Sequence, residues 1–485
     1  MRGTIRAFAA VPVLVAVLAS CDGQEGQIVG PSEDEVTAFV DVRLVPMTGE
    51  LTIENQTVLV DGRTIVQIGQ ADDVAIPEGA TVIDGAGAYL MPGLADMHVH
   101  TRLDWLSDTW PVSPLLLYLA NGVTTIRDFR PSGGDLTYPL GWRAEINAGV
   151  RDGPTLYTSG RRLFASPVDD PQGTVQWNHA RGFDFQKFYS YLSYDDFHAG
   201  MTAAGQLFFY TVGHIPFPVG LDVVLTEGID EIAHVEELVW EFVDYDRNAV
   251  LLWQEWLPYV IGVVLQQIDI SQDFDRAAFL AEYGDRYASV ISSLDNAGIT
   301  ICTTMIVDDI IVQKLFEPAA FLSRPEIQYM PSEYLQSFSQ GTEKHQVQFN
   351  GIEGLATYKY GVDKTLLDGL HQANVSLVLG TDSGTGQMGI VPGFSIHDEL
   401  RVLVENGFSP YEAIATATLN ASRVVEDMIG EDDFGTIEVG KRADLILLNG
   451  DPLADLSNIR DLRGVMAAGR WYGAETLQQM LAIGS

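Results

Sequence analysis

His98 and His100 close the run Tyr-Leu-Met-Pro-Gly-Leu-Ala-Asp-Met-His-Val-His, which begins at Tyr89. Side chains two residues apart on a strand point to the same face. Two imidazoles at this spacing can therefore grip one metal ion from one side. An isolated His-x-His pair is weak evidence, because most histidines are surface or packing residues. Four more polar residues strengthen it, each ending a short apolar run: Lys187 after Gly-Phe-Asp-Phe-Gln, His214 after Tyr-Thr-Val-Gly, His234 after Glu-Ile-Ala, and Asp382 after Leu-Val-Leu-Gly-Thr. Such positions read as the C-terminal ends of strands, the face on which a (β/α)8 barrel builds its active site.

The elements that would hold these residues follow from the alternation of apolar strands with helical stretches. Strands are expected near 93–98, 124–128, 155–159, 183–188, 208–214, 231–234, 299–305 and 376–381. Eight strand–helix alternations predict a parallel α/β barrel over 91–434. Residues 36–90 carry shorter alternating runs with an Asp61-Gly62 hairpin signal. Similar runs return at 444–449 and 463–472, so 36–90 and 435–485 are expected to build one small β-sandwich from both chain ends.

The order His-x-His, Lys, His, His, Asp resembles that of the amidohydrolase superfamily, in its imidazolonepropionase-like and Xaa-Pro dipeptidase-like branch. Further matching stretches are Asn-Gly-Val-Thr-Thr-Ile-Arg-Asp (121–128), Ser-Ile-His-Asp-Glu-Leu (395–400), Ala-Thr-Ala-Thr-Leu-Asn-Ala-Ser (415–422) and Gly-Thr-Ile-Glu-Val-Gly-Lys-Arg-Ala-Asp-Leu-Ile-Leu-Leu (435–448). The resemblance implies two divalent metal ions, zinc being expected. His98, His100 and Asp382 would hold one and His214 and His234 the other, with Lys187 bridging both as a carbamate. An unmodified lysine is a cation with no lone pair to give. Asp382 would also move the proton from the attacking water to the leaving nitrogen. The implied activity is hydrolysis of an amide or dipeptide, or of an N-acyl amino acid. One alternative is a mononuclear cyclic-amide hydrolase or deaminase; another is a non-catalytic lipid-anchored protein that binds metal or ligand. His397 matches the family pattern in a structural position. The glycine-rich, histidine-bearing segment usual before the lysine in dipeptidase-like relatives is short here, and His179 lies only eight residues before Lys187, so it receives no substrate role. Arg161 and Arg162 are candidates for receiving a substrate carboxylate, and Tyr210 for lining the pocket.

Composition bounds the rest. Apolar residues make up 46% of the 485, enough for a large core, while 66 acidic residues against 28 basic give a net charge of −38. Such a surface repels nucleic acid and anionic lipid heads. It fits salt adaptation, or a field that draws cations toward the protein. Arg2, Arg6, the apolar run 9–18 and Leu-Ala-Ser-Cys ending at Cys21 read as a bacterial lipoprotein signal over 1–20, with ordinary signal cleavage as the alternative. Lipid on Cys21 would place the protein on the periplasmic side of the membrane, tethered through the flexible stretch 21–35. The other cysteine, Cys302, lies in an apolar run and is expected to pack as a small hydrophobe. Residues 235–300 hold long apolar stretches interrupted by Gln254, Glu255 and Pro258. Three roles are open for them: an ordinary barrel helix, a lid or membrane-facing elaboration, or a contact between copies in a homo-oligomer.

Overall fold

The computed structural model describes residues 36–101, 110–129 and 137–482. Cys21, the expected signal and the tether lie outside them. The chain opens with β1 (Thr37–Leu44), β2 (Ile53–Asp61), β3 (Thr64–Gln70), β4 (Thr81–Asp84) and β5 (Tyr89–Pro92). The hairpin is where Asp61-Gly62 places it: Asp61 pairs with Thr64, and Gly62 turns the chain at φ +54°, a left-handed angle that glycine adopts without penalty.

The middle of the chain alternates strands with helices: β6 (Leu94–Val99), β7 (Val123–Asp128), β8 (Thr155–Thr158), β9 (Leu163–Ala165), β10 (Phe185–Tyr191), β11 (Tyr210–Gly213), β12 (Glu231–Ile232), β13 (Thr300–Cys302) and β14 (Ser376–Val378). They form two parallel sheets, β6-β7-β8 and β14-β13-β12-β11-β10-β9. Isolated parallel bridges link one sheet to the other, from Ser159, just past β8, to Phe185 on β10 and from Val99 on β6 to Ser383, past β14. The strands' inward side chains, among them Met97, Phe129, Phe185, Val212, Cys302 and Val378, make one apolar cluster. A buried ion pair sits inside it: Arg127 donates to both oxygens of Glu231, at 2.8 and 2.5 Å. Such a pair persists when its partners are fully satisfied. Here Arg127 Nε also donates to the Met97 carbonyl at 2.8 Å.

The last strands, β15 (Leu445–Leu448), β16 (Leu462–Ala467) and β17 (Arg470–Gly473), return to the start. They join β1–β5 in a single eight-stranded sheet, ordered β17-β16-β15-β5-β1-β2-β3 with β4 beside β1. Both chain ends thus build one sheet, and β5 runs on through Gly93 into β6.

Residues 235–300 divide into three elements. A 3-10 helix spans Val235–Phe242, a helix spans Trp253–Gln267 with Pro258 inside it, and a long helix spans Arg276–Ala297. The long helix packs Val290, Ile291 and Leu294 on the core and leads into β13 as a crossover helix does. The 253–267 helix belongs instead to a second apolar cluster, with Phe217, Ile306, Ile310 and Phe349. Among the described residues, no helix is long and apolar enough to cross a membrane.

Candidate metal centre

The six residues singled out by type and spacing lie on or just past five of the parallel strands. His98 is on β6 and His100 just after it. Lys187 is on β10, and His214 directly follows β11. His234 is two residues past β12, and Asp382 four past β14. Asp382 Oδ1 stands 2.8 Å from His100 Nε2 and 3.5 Å from His98 Nε2. One nitrogen or oxygen from each of these three lies within 4.8 Å of the others, a spacing that fits one cation. The His234 ring is 4.5 Å from that of His98 and 4.8 Å from that of His214, centre to centre.

Local devices hold this arrangement. Gly380 lets the segment after β14 lie against β6: a Cβ there would come 2.5 Å from Cys302 Sγ and 2.6 Å from His98 Cβ. The Asp382 amide donates to the His98 carbonyl at 2.8 Å with Asp382 at φ +55°, a conformation that aspartate tolerates better than most residues. Asp96 accepts from Thr381 Oγ1 at 2.6 Å and from its amide at 3.0 Å, and Asp128 accepts from Thr101 Oγ1 at 2.8 Å.

Each of three histidines uses Nδ1 away from the cluster. His98 Nδ1 meets the Ala233 carbonyl at 3.3 Å, His214 Nδ1 meets Glu237 Oε1 at 2.5 Å, and His234 Nδ1 meets Thr304 Oγ1 at 2.9 Å. This is how proteins orient ligating imidazoles, with Nδ1–H donating outward and the Nε2 lone pair left for a cation.

Lys187 is fully buried, and its Nζ has no hydrogen-bond partner. It lies 4.6 Å from the centre of the Phe129 ring and 5.1 Å from that of Tyr189. Those two rings stack on His98 and His214 respectively. Burial is the largest influence on this amine and draws its pKa down to about 7, against the upward pull of Asp382 and Glu237. The orphaned amine among histidines and a carboxylate is the feature that fits a two-metal centre.

The substrate residues expected from sequence fare unevenly. Tyr210 is buried, and its hydroxyl donates to Glu231 at 3.0 Å, so it belongs to the polar layer beneath the site and not to the pocket. Arg161 is exposed, with its guanidinium 4.1 Å from the centre of the Trp177 ring; it covers an aromatic surface away from the histidines. Arg162 lies 4.7 Å from the Tyr189 ring and 4.4 Å from that of Phe164, beside the site. Sequence reasoning missed Glu237, which orients His214. It also missed a buried cluster in which Lys359 donates to Glu236 at 2.6 Å, Asp308 at 2.7 Å and Asp363 at 3.1 Å. The signal for Glu237 was its place three residues after His234, at the start of a new element.

Burial holds five of the histidines neutral. It pulls His234, His345 and His397 down to about 3, and lowers His98 and His214 as well. His397 lies away from the cluster and donates Nε2–H to the Asn121 carbonyl at 3.1 Å. A histidine neutral when folded takes up a proton on unfolding below its ordinary value near 6.5. Its contribution to stability is therefore present above that pH and lost as pH falls toward 3. Glu399, raised to about 7 by burial, works in the opposite sense over part of that window, so variants must be compared with one another. Between pH 7.5 and 5, wild type is expected to lose about 2 kcal/mol more than His397→Gln. Urea unfolding of the metal-free proteins at both pH values measures this, and equal losses would refute it.

A family model described as "Amidohydrolase family" matches residues 361–472. A dihydroorotase of Mycobacterium tuberculosis is 51% identical over 49 residues, which is 10% of this chain and 11% of that protein. A 5-methylthioadenosine/S-adenosylhomocysteine deaminase of Symbiobacterium thermophilum is 22% identical over 426 residues, covering 84% of each chain. Among solved structures, an Xaa-Pro dipeptidase with methionine bound in its active site superposes with a TM-score of 0.61 at 17% identity, over 90% of this chain and 100% of that one. At that identity the likeness is one of fold, and it gives this chain a TIM-barrel-like α/β architecture.

Proposed function

We propose that the chain is a member of the amidohydrolase superfamily, whose family model matches residues 361–472, and that it is a metal-dependent hydrolase of carbon–nitrogen bonds, acting on dipeptides, N-acyl amino acids or similar amides. The observation that carries this reading is Lys187, an amine without a hydrogen bond, fully buried and close enough to act on His98, His214, His234 and Asp382. We take the two parallel sheets as one (β/α)8 barrel over 91–434, with the residues on its C-terminal face as the active site. The end-built sheet (36–90 and 435–485) is taken as a separate small domain.

His98, His100 and Asp382 would hold one divalent cation, and His214 and His234 a second. Bound cations supply a water acidic enough to ionise near neutrality and polarise the scissile carbonyl. Lys187 would bridge them after its neutral amine attacks CO2: an N–C bond forms, one N–H proton leaves, and an anionic carbamate results. A depressed lysine pKa favours that step, since only the unprotonated amine reacts. Asp382 takes the proton of the attacking water and returns it to the leaving nitrogen. Arg162, beside Tyr189, is the candidate to receive a substrate carboxylate in a bidentate fork.

Metal analysis of the protein reconstituted with zinc or manganese tests this. Two ions per chain are expected, with hydrolysis of a dipeptide and N-acyl amino acid panel. Lys187→Ala should bind about one ion and lose activity, with partial recovery in added short carboxylic acids. One ion per chain, with activity indifferent to Lys187, would point instead to the mononuclear cyclic-amide hydrolase or deaminase reading. We further propose that Cys21 carries lipid on the periplasmic side of the membrane; Cys21→Ala should release the protein from the membrane fraction, and a variant that stays there would refute it.

A further inference from the structure

A cavity of about 390 Å³ opens from the metal centre, starting at Tyr189, His214 and Glu237. It runs beneath the 253–267 helix, not toward Arg161 or Tyr210. That helix contributes Trp253, Leu257, Ile261 and Val264 to its lining. Aromatic rings make much of the opposite wall, and they are held by one another. Phe164 meets Trp253 edge-on at 5.2 Å, Tyr191 lies 5.7 Å from the same indole, and Phe217 stacks on Trp256 at 6.2 Å.

The polar groups at the metal end are carboxylates. Glu236, Glu237 and Asp308 reach the lining there. Lys359, the cation among them, is committed to Glu236, Asp308 and Asp363. A negatively charged substituent entering past these groups would meet carboxylates whose ammonium, Lys359, is already shared among Glu236, Asp308 and Asp363; the other lysine of the lining is Lys344, next to His345 in the chain. A neutral ring would meet edges and faces of other rings, an arrangement that favours aromatic groups beyond the area they bury. A pocket of this size suits a ring system far better than a methyl or methylene group.

We infer that this cavity is the side-group subsite of the enzyme, and that it selects amides carrying a bulky, uncharged aromatic substituent next to the scissile bond. The inference rests on the hydrolase reading above and deepens it. It also assigns a role within the stretch 235–300, whose 253–267 helix forms the wall that makes the subsite.

The test compares kcat/KM of the metal-loaded full chain for three matched N-acyl amides, bearing a naphthyl, a methyl or a carboxymethyl group at the same position. Wild type is expected to favour naphthyl over methyl by about 10- to 200-fold, the span that apolar pocket contacts allow, and to disfavour carboxymethyl. Ile261→Trp fills the cavity and should collapse the naphthyl-to-methyl ratio at least tenfold, mainly through KM. Trp253→Ala removes a wall and should lower the same ratio. Melting temperatures establish that both variants are folded. Preference for methyl or carboxymethyl in wild type overturns the inference, as does a ratio that neither substitution moves; hydrolysis itself would still stand. If none of the amides is cleaved, the hydrolase reading fails separately, and binding of 1-naphthylacetamide, followed by tryptophan fluorescence, decides the subsite. Saturable binding that Ile261→Trp abolishes supports it, and absence of binding refutes it.

Discussion

Asp382→Asn is expected to reduce kcat of the metal-loaded protein by about 10²- to 10⁴-fold while leaving the fold intact, the range that positioned acid–base groups contribute. The substitution keeps shape and removes the basic oxygen. Asparagine tolerates a left-handed backbone as aspartate does, so φ +55° and the amide bond to the His98 carbonyl can both persist. A carboxamide oxygen can still lie near His100 and offer a weak metal contact, but it cannot accept the proton of an attacking water and hand it on. Metal content and circular dichroism should therefore stay close to wild type as turnover collapses. In wild type, burial alone would push the Asp382 pKa up; contacts with His100, His234 and Lys187 outweigh it and leave the carboxyl below its ordinary value. It is thus ionised and able to act as a base at neutral pH. Activity within tenfold of wild type at unchanged metal content would remove the proton-transfer role and leave Asp382 a ligand only.

The parts of this site legible in the sequence share a cause. A parallel strand is short, apolar and period-two, and the residue that ends it emerges on one face of the sheet. A polar residue closing an apolar run therefore announces both a strand end and a position on that face, which is why His98, Lys187, His214, His234 and Asp382 could be grouped before any coordinate was known. The same periodicity misleads by depth. Tyr210 shares the parity of His214, but four residues along a strand is about 13 Å, and that distance drops its hydroxyl into the layer holding Glu231. Arg161 and Arg162 are adjacent and identical in type. Only the packing of Trp177 on one side and Phe164 on the other separates their roles. The Lys359 cluster was invisible for another reason. Tyr-Lys-Tyr-Gly-Val-Asp reads as an ordinary amphipathic helix, and the lysine's partners Glu236 and Asp308 lie 123 and 51 residues away in the chain. The roof of the cavity has the same character: the apolar stretch near 253–267 is plain in sequence, whereas what it covers depends on the third dimension.

Lys359→Met is expected to destabilise the protein by about 3–5 kcal/mol at pH 7.5, the usual cost of breaking a buried ion pair by removing one partner. The effect should be large because one ammonium serves three carboxylates. Glu236 at 2.6 Å, Asp308 at 2.7 Å and Asp363 at 3.1 Å tie the 3-10 helix after His234 to the helices at 306–316 and 354–372. Burial opposes ionisation of all three, and Lys359 is the leading influence that offsets it, holding Glu236 near 2. Asp308 and Asp363 are held above their ordinary values by burial even in wild type; without the cation they rise further, and Glu236, depressed in wild type, rises above its unfolded value as well. The folded variant then binds more protons than its unfolded chain, so its stability improves as pH falls. Wild type gains nothing comparable from Glu236, whose folded pKa is already depressed. The deficit of Lys359→Met should therefore be greatest at pH 8 and shrink toward pH 5, as read from urea midpoints of the two proteins at each pH. A deficit independent of pH would mean that lost packing of the lysine stem, not uncompensated charge, is what the substitution costs. Because Glu236 adjoins Glu237, and Glu237 orients His214, the variant should also bind more weakly the cation proposed at His214 and His234. Unaltered affinity at both sites would show that the cluster braces the fold without reaching the metal centre.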